Sequence, residues 1–286
     1  MLRASCRAAT GWLYGSTRLS HCSTILGVFD DSVAHPKPLG TLDELNFTGK
    51  TALVVGGSSG IGNGIARAFL DHGASVHVWG TRDGAGDYAG VEGSDLAGLS
   101  YSKIDITRRS EIADHGWVGD RLDILVLCQG TVIYRRGEFA PEGWDRVVAV
   151  NLSSLMDCAM RFREPLRESR GVLIIVSSIS AFTSNRGNPA YAASKAGAVS
   201  LTKTLGEAWA RDGIRVVGIA PGLVDTKLTK ITLDDARRRQ ATLAQIPLGR
   251  LGTPSEMAGT ALFLASPLAS YVVGHTLIVD GGRTLA

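Results

Sequence analysis

The chain has 286 residues, 44 % of them hydrophobic and 20 % charged, which is enough apolar content for one α/β domain with a sizeable core. A formal net charge of +3 with scattered Lys and Arg excludes a strongly basic nucleic-acid surface, and no stretch approaches the length of a membrane span. Cys6, Cys22, Cys128 and Cys158 lack metal-ligand or Cys-x-x-Cys spacing and the histidines form no cluster, so no metal is expected; Cys128 and Cys158 read as reduced, buried thiols.

Residues 1–45 read as a leader separate from the fold. Residues 1–29 contain Arg3, Arg7, Arg18 and several serines but no acid, the composition of a mitochondrial transit peptide. A disordered leader, or residues upstream of the true start, are the plain alternatives. The protein is expected in the cytoplasm, or in the mitochondrial matrix if residues 1–29 act as a transit peptide.

The folded unit is expected over residues 46–286. Residues 51–55, Thr-Ala-Leu-Val-Val, read as a buried parallel strand ended by glycines, and residues 61–70 as a helix with Ile61, Ile65, Ala68 and Phe69 on one side. Further strands are expected at 75–79, 99–104, 124–127, 172–176, 215–220 and 276–279, with helices at 144–163 and 191–211. The glycine-rich stretch 84–98 predicts a poorly formed second helix. The alternation gives a single-domain Rossmann fold, a doubly wound seven-stranded parallel sheet with ligands at the carboxyl ends of the strands. Arg237, Arg238 and Arg239 read as a solvated helix face, His77 as a residue packed in the sheet, and Trp209 and Phe263 as core or subunit interface.

Two features carry chemistry. The strand, the turn Gly56-Gly57-Ser58-Ser59-Gly60-Ile61-Gly62 and the helix form the first half of a dinucleotide-binding unit, with helix-start N–H groups available to a pyrophosphate. Glycines serving only a tight turn are the bland alternative. Tyr191 and Lys195, four residues apart, share one helix face. An ammonium beside the phenol would bring its pKa, near ~10 when free, toward neutrality. Such a pair also occurs on ordinary helices; Ser178, thirteen residues before Tyr191 at the end of an apolar run, supplies its context.

From about Phe47 onward the chain resembles the short-chain dehydrogenases/reductases, motif after motif and in order. The glycine turn is similar to their Thr-Gly-x-x-x-Gly-x-Gly, with Val55 in place of the threonine. Ile104-Asp105-Ile106-Thr107 resembles their adenine-contacting segment, and Asn151 matches the asparagine of the catalytic helix. Ser178, Tyr191 and Lys195 complete the tetrad, and Pro221-Gly222-Leu223-Val224-Asp225-Thr226 resembles the segment that holds the nicotinamide carboxamide. Departures are Leu127-Cys128-Gln129-Gly130 for Asn-Asn-Ala-Gly, Val217 for an asparagine, and a stretch between Asp105 and Asp123 about one helical turn short.

The resemblance implies an NAD(P)-dependent oxidoreductase acting on a small-molecule alcohol/ketone pair, most like the 3-oxoacyl-carrier-protein reductases and sugar or polyol dehydrogenases. It also implies the roles. Ser178 donates to the carbonyl oxygen, Tyr191 is the general acid/base, Lys195 lowers the tyrosine's pKa and holds the ribose, and Asn151 braces a water. Cofactor-binding residues are expected at Gly56, Ser58, Ser59, Gly60, Ile61, Gly62, Arg82, Asp105, Ile106, Gly130, Asn151, Tyr191, Lys195, Pro221, Gly222, Val224 and Thr226. Gly80 stands at about the position of the acid that would accept from ribose hydroxyls, and Arg82 offers a phosphate partner, so NADP(H) is favoured over NAD(H). Gly187, Asn188 and residues 223–245, with Leu228, Lys230, Ile231 and Leu233, are expected to line or cover the substrate site as a lid. A homotetramer is expected by the same resemblance, and neither a nucleic-acid nor a membrane partner is. The alternative is a non-catalytic dinucleotide-binding sensor or scaffold of the same fold. Ser178 ending a strand, Asn151 bonding only backbone and Thr226 capping a helix are the bland readings of those positions.

Overall fold

The computed structural model describes residues 44–115, 121–227, 229 and 235–285. The expected leader lies outside these apart from Glu44 and Leu45, as do Leu228, Lys230, Ile231 and Leu233 of the expected lid. Seven strands form one parallel sheet: β1 (Thr51–Val55), β2 (Ser75–Gly80), β3 (Ser100–Lys103), β4 (Ile124–Leu127), β5 (Val172–Val176), β6 (Arg215–Pro221) and β7 (Thr276–Val279), in the order β3-β2-β1-β4-β5-β6-β7. The helices named here are α1 (Gly60–Asp71), α2 (Arg109–Asp114), α3 (Pro141–Val148), α4 (Ser154–Ser169), α5 (Pro189–Trp209), α6 (Ala236–Leu243) and α7 (Pro254–Ala265). The expected doubly wound seven-stranded sheet is the one found.

Successive strand residues point to opposite faces, so a strand covered on both sides must be apolar throughout. β4 and β5 are buried at every position. Val54, Val126 and Ile174 pack toward Ile65 and Phe69 of α1 and Met257 and Ala261 of α7. Leu53, Leu125, Leu127 and Leu173 pack on the opposite face against Leu155, Phe162 and Leu166 of α4 and Trp209 of α5. Each such side chain contributes about 1.5–3 kcal/mol on leaving water, so these two layers fix where the strand ends stand.

Leu127 and Val217, which replace polar family residues, are fully buried in these layers. Gln129 is buried, and its Nε2 donates to Ser154 Oγ at 3.1 Å, tying the loop after β4 to α4. The single helix expected over 144–163 is instead α3 and α4 joined by a π-helical turn, Ala149–Ser153, centred on Asn151. Residues 84–98 carry only a 3-10 turn, Ala85–Tyr88, in keeping with their glycines. α2 is a short six-residue helix, as its spacing suggested. His77 sits in the sheet with Nε2 2.9 Å from Ser102 Oγ, Trp209 is core, and Arg237 to Arg239 are exposed on α6. Phe263 is 37 % exposed on α7 and is not core. The strand order reverses between β1 and β4, which opens a crevice at their carboxyl ends.

Candidate active site

A cavity of about 840 Å³ fills that crevice, within the roughly 300–1,000 Å³ of ligand pockets. Gly56, Ser58, Ser59, Gly60, Ile61 and Gly62 form one wall. Asp105 and Ile106 follow β3, Gly130 follows β4, and Pro221, Gly222, Val224 and Thr226 follow β6 on the facing wall. Tyr191, Lys195 and Asn188 close the far end. Gly187 is not among the lining residues, whereas residues 223–227 and Thr229 of the expected lid are.

At the glycine turn the backbone itself is the surface. Gly56 has φ +76°, and a Cβ there would stand 2.9 Å from the Gln129 nitrogen, so no larger residue fits. Ser59 precedes α1 without a side-chain cap, and no acid occupies the first turn, which leaves the positive end of the helix facing the cavity. Thr226 comes from the other wall to within 3.5 Å of where a Gly60 Cβ would lie. Its hydroxyl is 3.3 Å from that of Thr229, a local turn contact that leaves the methyl facing Gly60.

The end near β2 is built differently from the expectation. A Cβ on Gly80 would meet Ser58 Oγ and Tyr88 Oη at 2.7 Å, so an acidic side chain has no room there. The Tyr88 hydroxyl accepts the N–H groups of Thr81 and Arg82, each at 3.3 Å. Arg82 does not line the cavity: its guanidinium lies 4.6 Å from the Tyr88 ring centre and donates to the Asp87 carbonyl. Tyr88 is buried and outside the cavity lining, so it shapes this end from behind through its hydroxyl. Asp83 pairs with Lys103. Glu92 and Gly93 come from the same loop to the cavity wall, and the Gly93 carbonyl accepts the Gly60 N–H at 2.8 Å. Asp105 uses its carboxylate locally, accepting from Thr107 Oγ1 at 2.6 Å, and that bond holds its pKa below the usual range.

The opposite end gathers the tetrad. Tyr191 lies in the first turn of α5, which starts at Pro189, a favourable first helical residue. Ser178 ends β5 with its hydroxyl hydrogen-bonded to that of Tyr191 and accepting the Ser180 N–H at 3.1 Å. Lys195 is 4 % exposed; its Nζ donates to the Val176 carbonyl at 2.9 Å and stands 5.8 Å from the Tyr191 ring centre. Burial pushes the Tyr191 hydroxyl above its ordinary pKa, with the Ser178 bond pulling the other way, and lowers Lys195 to about 8. Desolvation is the largest influence on both groups, and the Lys195 ammonium donates to Val176. Asn151, fully buried, accepts the Thr131 N–H at 2.7 Å and donates to the Thr131 carbonyl at 2.9 Å and to Ser194 Oγ at 3.2 Å. Its amide thus ties the loop after β4 to α5. Cys128 is a free thiol on the cavity wall that burial pushes up to about 11, and the buried Cys158 is likewise pushed up to about 12.

A family model described as enoyl-(acyl carrier protein) reductase matches residues 55–284, and it spans both the glycine turn and the tetrad. The chain is a short-chain dehydrogenase/reductase. It is 36 % identical over 255 residues to the 3-oxoacyl-[acyl-carrier-protein] reductase FabG of Chlamydia pneumoniae, covering 84 % of this chain and 99 % of that protein. It is also 36 % identical to the 2-dehydro-3-deoxy-D-gluconate 5-dehydrogenase of Bacillus subtilis, over 84 % of this chain and 96 % of that one. Its fold superposes on the gluconate 5-dehydrogenase of Burkholderia cenocepacia, solved with NADP and tartrate, with a TM-score of 0.77, 29 % identity and coverage of 85 % and 98 %. This short-chain dehydrogenase/reductase is an NAD(P)-dependent oxidoreductase acting on a CH–OH/carbonyl pair. The uncapped helix start, the glycine cradle and the polar residues after β6 fit such a nucleotide. Among the described residues no cluster suits a metal ion, and no helix is long and apolar enough to cross a membrane.

Sequence reasoning missed Tyr88 and Glu138. Glu138 is 1 % exposed and contacts the first turn of α5. Its local sequence, Arg135-Arg136-Gly137-Glu138, has the polar look of an exposed loop and offers no signal for this.

Proposed function

We propose that this short-chain dehydrogenase/reductase interconverts a carbonyl and a secondary alcohol with Tyr191 as general acid/base, Ser178 as the donor to the substrate oxygen, and Lys195 and Asn151 in support. The observation that carries it is Tyr191 and Lys195 set one helical turn apart in the cavity wall, with the Ser178 hydroxyl bonded to Tyr191 though Ser178 is not itself among the lining residues. When bound, the nicotinamide gives or takes the hydride. The Ser178 hydroxyl stabilises the negative charge that develops on the substrate oxygen in reduction. Tyr191 hands its proton to that oxygen, and in oxidation it takes the proton back. A hydroxyl kept protonated by burial suits the donor role. Lys195, with a pKa near 8, exchanges protons readily at neutral pH and so can restore the one Tyr191 gives up. Asn151 holds Thr131 in place and keeps α5 in register with the loop that faces the substrate.

Tyr191→Phe tests this reading. Turnover should fall by on the order of 10²–10⁴ while nucleotide binding persists; retained turnover would sink it.

On this reading NADP(H) is preferred over NAD(H). Support comes from the absence of an acid at Gly80, the exposed Arg82 beside it, and the NADP in the Burkholderia gluconate 5-dehydrogenase structure. Glu92 on the rim acts in the opposite sense. The substrate is a small oxo compound of the kind the named relatives carry, an oxoacyl thioester or a sugar acid. Residues 46–286 are the catalytic unit, residues 1–45 a leader, and the enzyme is cytoplasmic; fractionation of the tagged full chain checks the location, and recovery with mitochondria would reassign it to the matrix. The exposed Trp144, Met156 and Met160, and Tyr271, Val273 and Ile278 near β7, support a homotetramer; a monomeric mass by light scattering would refute it.

A further inference from the structure

Glu138 stands in the loop between β4 and α3, yet it is almost wholly buried. Its Oε2 accepts the backbone N–H of Tyr191 at 2.9 Å, across 53 residues of sequence. Its Oε1 accepts the Ile133 N–H and Asn188 Nδ2, both at 3.1 Å. Three donors converge on it, and a carboxylate is the side chain that accepts without donating. Asn188, which precedes α5, makes no side-chain cap; its Nδ2 donates instead to the Ile133 carbonyl and to Glu138. Glu138 therefore caps the 21-residue α5, where the helix dipole favours a negative charge.

The same carboxylate shapes the substrate-facing loop. Arg135 and Arg136 both adopt left-handed backbone angles, φ 56° and 60°, a conformation L residues avoid unless their surroundings hold it. Asn151 grips this loop at Thr131 and Glu138 grips it at Ile133, and the intervening Val132 and the following Tyr134 line the cavity.

We propose that Glu138 is a positioning residue for Tyr191, fixing the helical turn that carries it against residues 131–134 and setting a carboxylate beside it. The groups facing Tyr191 are the Ser178 hydroxyl, Tyr134, Cys128, Glu138 and the Lys195 ammonium. After burial, Tyr134, Cys128 and Glu138 each act to keep the proton on Tyr191, against the Ser178 bond. Burial pushes the Cys128 thiol up to about 11, whereas both oxygens of Glu138 accept hydrogen bonds and neither donates. This inference rests on the reading of Tyr191 as the acid/base.

The test is Glu138→Gln beside Asn188→Ala in the full chain. The readouts are turnover against pH and the ultraviolet titration of tyrosinate, taken as the difference from Tyr191→Phe in each background. Glu138→Gln should lower kcat about tenfold and move both the tyrosinate midpoint and the matching limb of the rate profile to lower pH. Asn188→Ala loosens the same loop without removing the charge, so it should lower activity and leave the midpoint in place. An unmoved midpoint in Glu138→Gln, or an equal shift in Asn188→Ala, overturns the proposal. If Glu138→Gln does not fold, Glu138→Asp retains the charge and must keep the midpoint while lowering kcat; a displaced midpoint then overturns it. Turnover surviving in Tyr191→Phe would instead defeat the acid/base reading beneath it.

Discussion

At the Tyr191 end of the cavity each tetrad side chain is tied to another element: Asn151 to Thr131 and Ser194, Lys195 to Val176, Ser178 to Tyr191. At the Thr81 end the wall is an exposed loop bonded to itself from Arg82 to Asp87 and from Thr81 and Arg82 to Tyr88. It is held to its neighbours chiefly by side chains, Tyr101 and Lys103 of β3 and Asn63 and Arg67 of α1, with Gly93 anchored to Gly60. Reacting atoms must be held to a fraction of an ångström, whereas a nucleotide's far end needs only to be gripped. One end is accordingly buried and cross-linked, and the other is free to change its means of grip.

Substitutions should separate the two ends, the largest effect coming from the buried one. Ser178→Ala is expected to cost about 10²–10³ in kcat with little change in nucleotide affinity, measured by steady-state kinetics beside fluorescence titration. A parallel loss of affinity would show that the ends are coupled. At the exposed end, Arg82→Ala should weaken NADPH about tenfold, leave NADH nearly untouched, and keep kcat. Equal affinities in the parent protein would leave Arg82 a surface residue resting on Tyr88. The smallest effect lies behind the β2 wall. Loss of hydration, helped by His115, lowers His77 from 6.5 to about 4, so the fold holds the neutral ring. The unfolded chain then binds the proton more readily between those values, and this stability is complete above about pH 6.5 and lost as pH falls toward 4. His77→Gln should reduce that acid-side fall in melting temperature by a few degrees, read by calorimetry across the range.

Most of the fold was legible because parallel strands covered on both faces must be continuously apolar, as Leu125 and Ile174 are. The glycine turn and the Tyr191–Lys195 pair were legible because their residue types and spacing are dictated locally; Asn151, on a different element, was legible only through the family resemblance. Glu138 was not, since its role depends on a partner far along the chain and its neighbours have the composition of surface. Tyr88 escaped for a similar reason: the glycines around it forecast the absence of a helix but not where the ring would go. The pKa logic of Tyr191 and Lys195 followed helix spacing correctly as far as proximity. Spacing carries no information about how much water each group loses, and that loss leads both shifts here.

The π-helical turn at Ala149–Ser153 has a bearing on which changes this chain can absorb. A π turn is one extra residue fitted into a helix, and each residue advances an α-helix by about 100°. Removing one residue there would restore a regular helix, and because the π turn takes up that residue locally, Phe162 and Leu166 of α4 would keep the face they pack with, while Asn151 would be drawn off Thr131 and Ser194. A single-codon deletion at this turn should therefore leave the fold standing and cut the tie between the loop after β4 and α5, whereas the same deletion at the start of α4 would turn Phe162 and Leu166 away from the sheet.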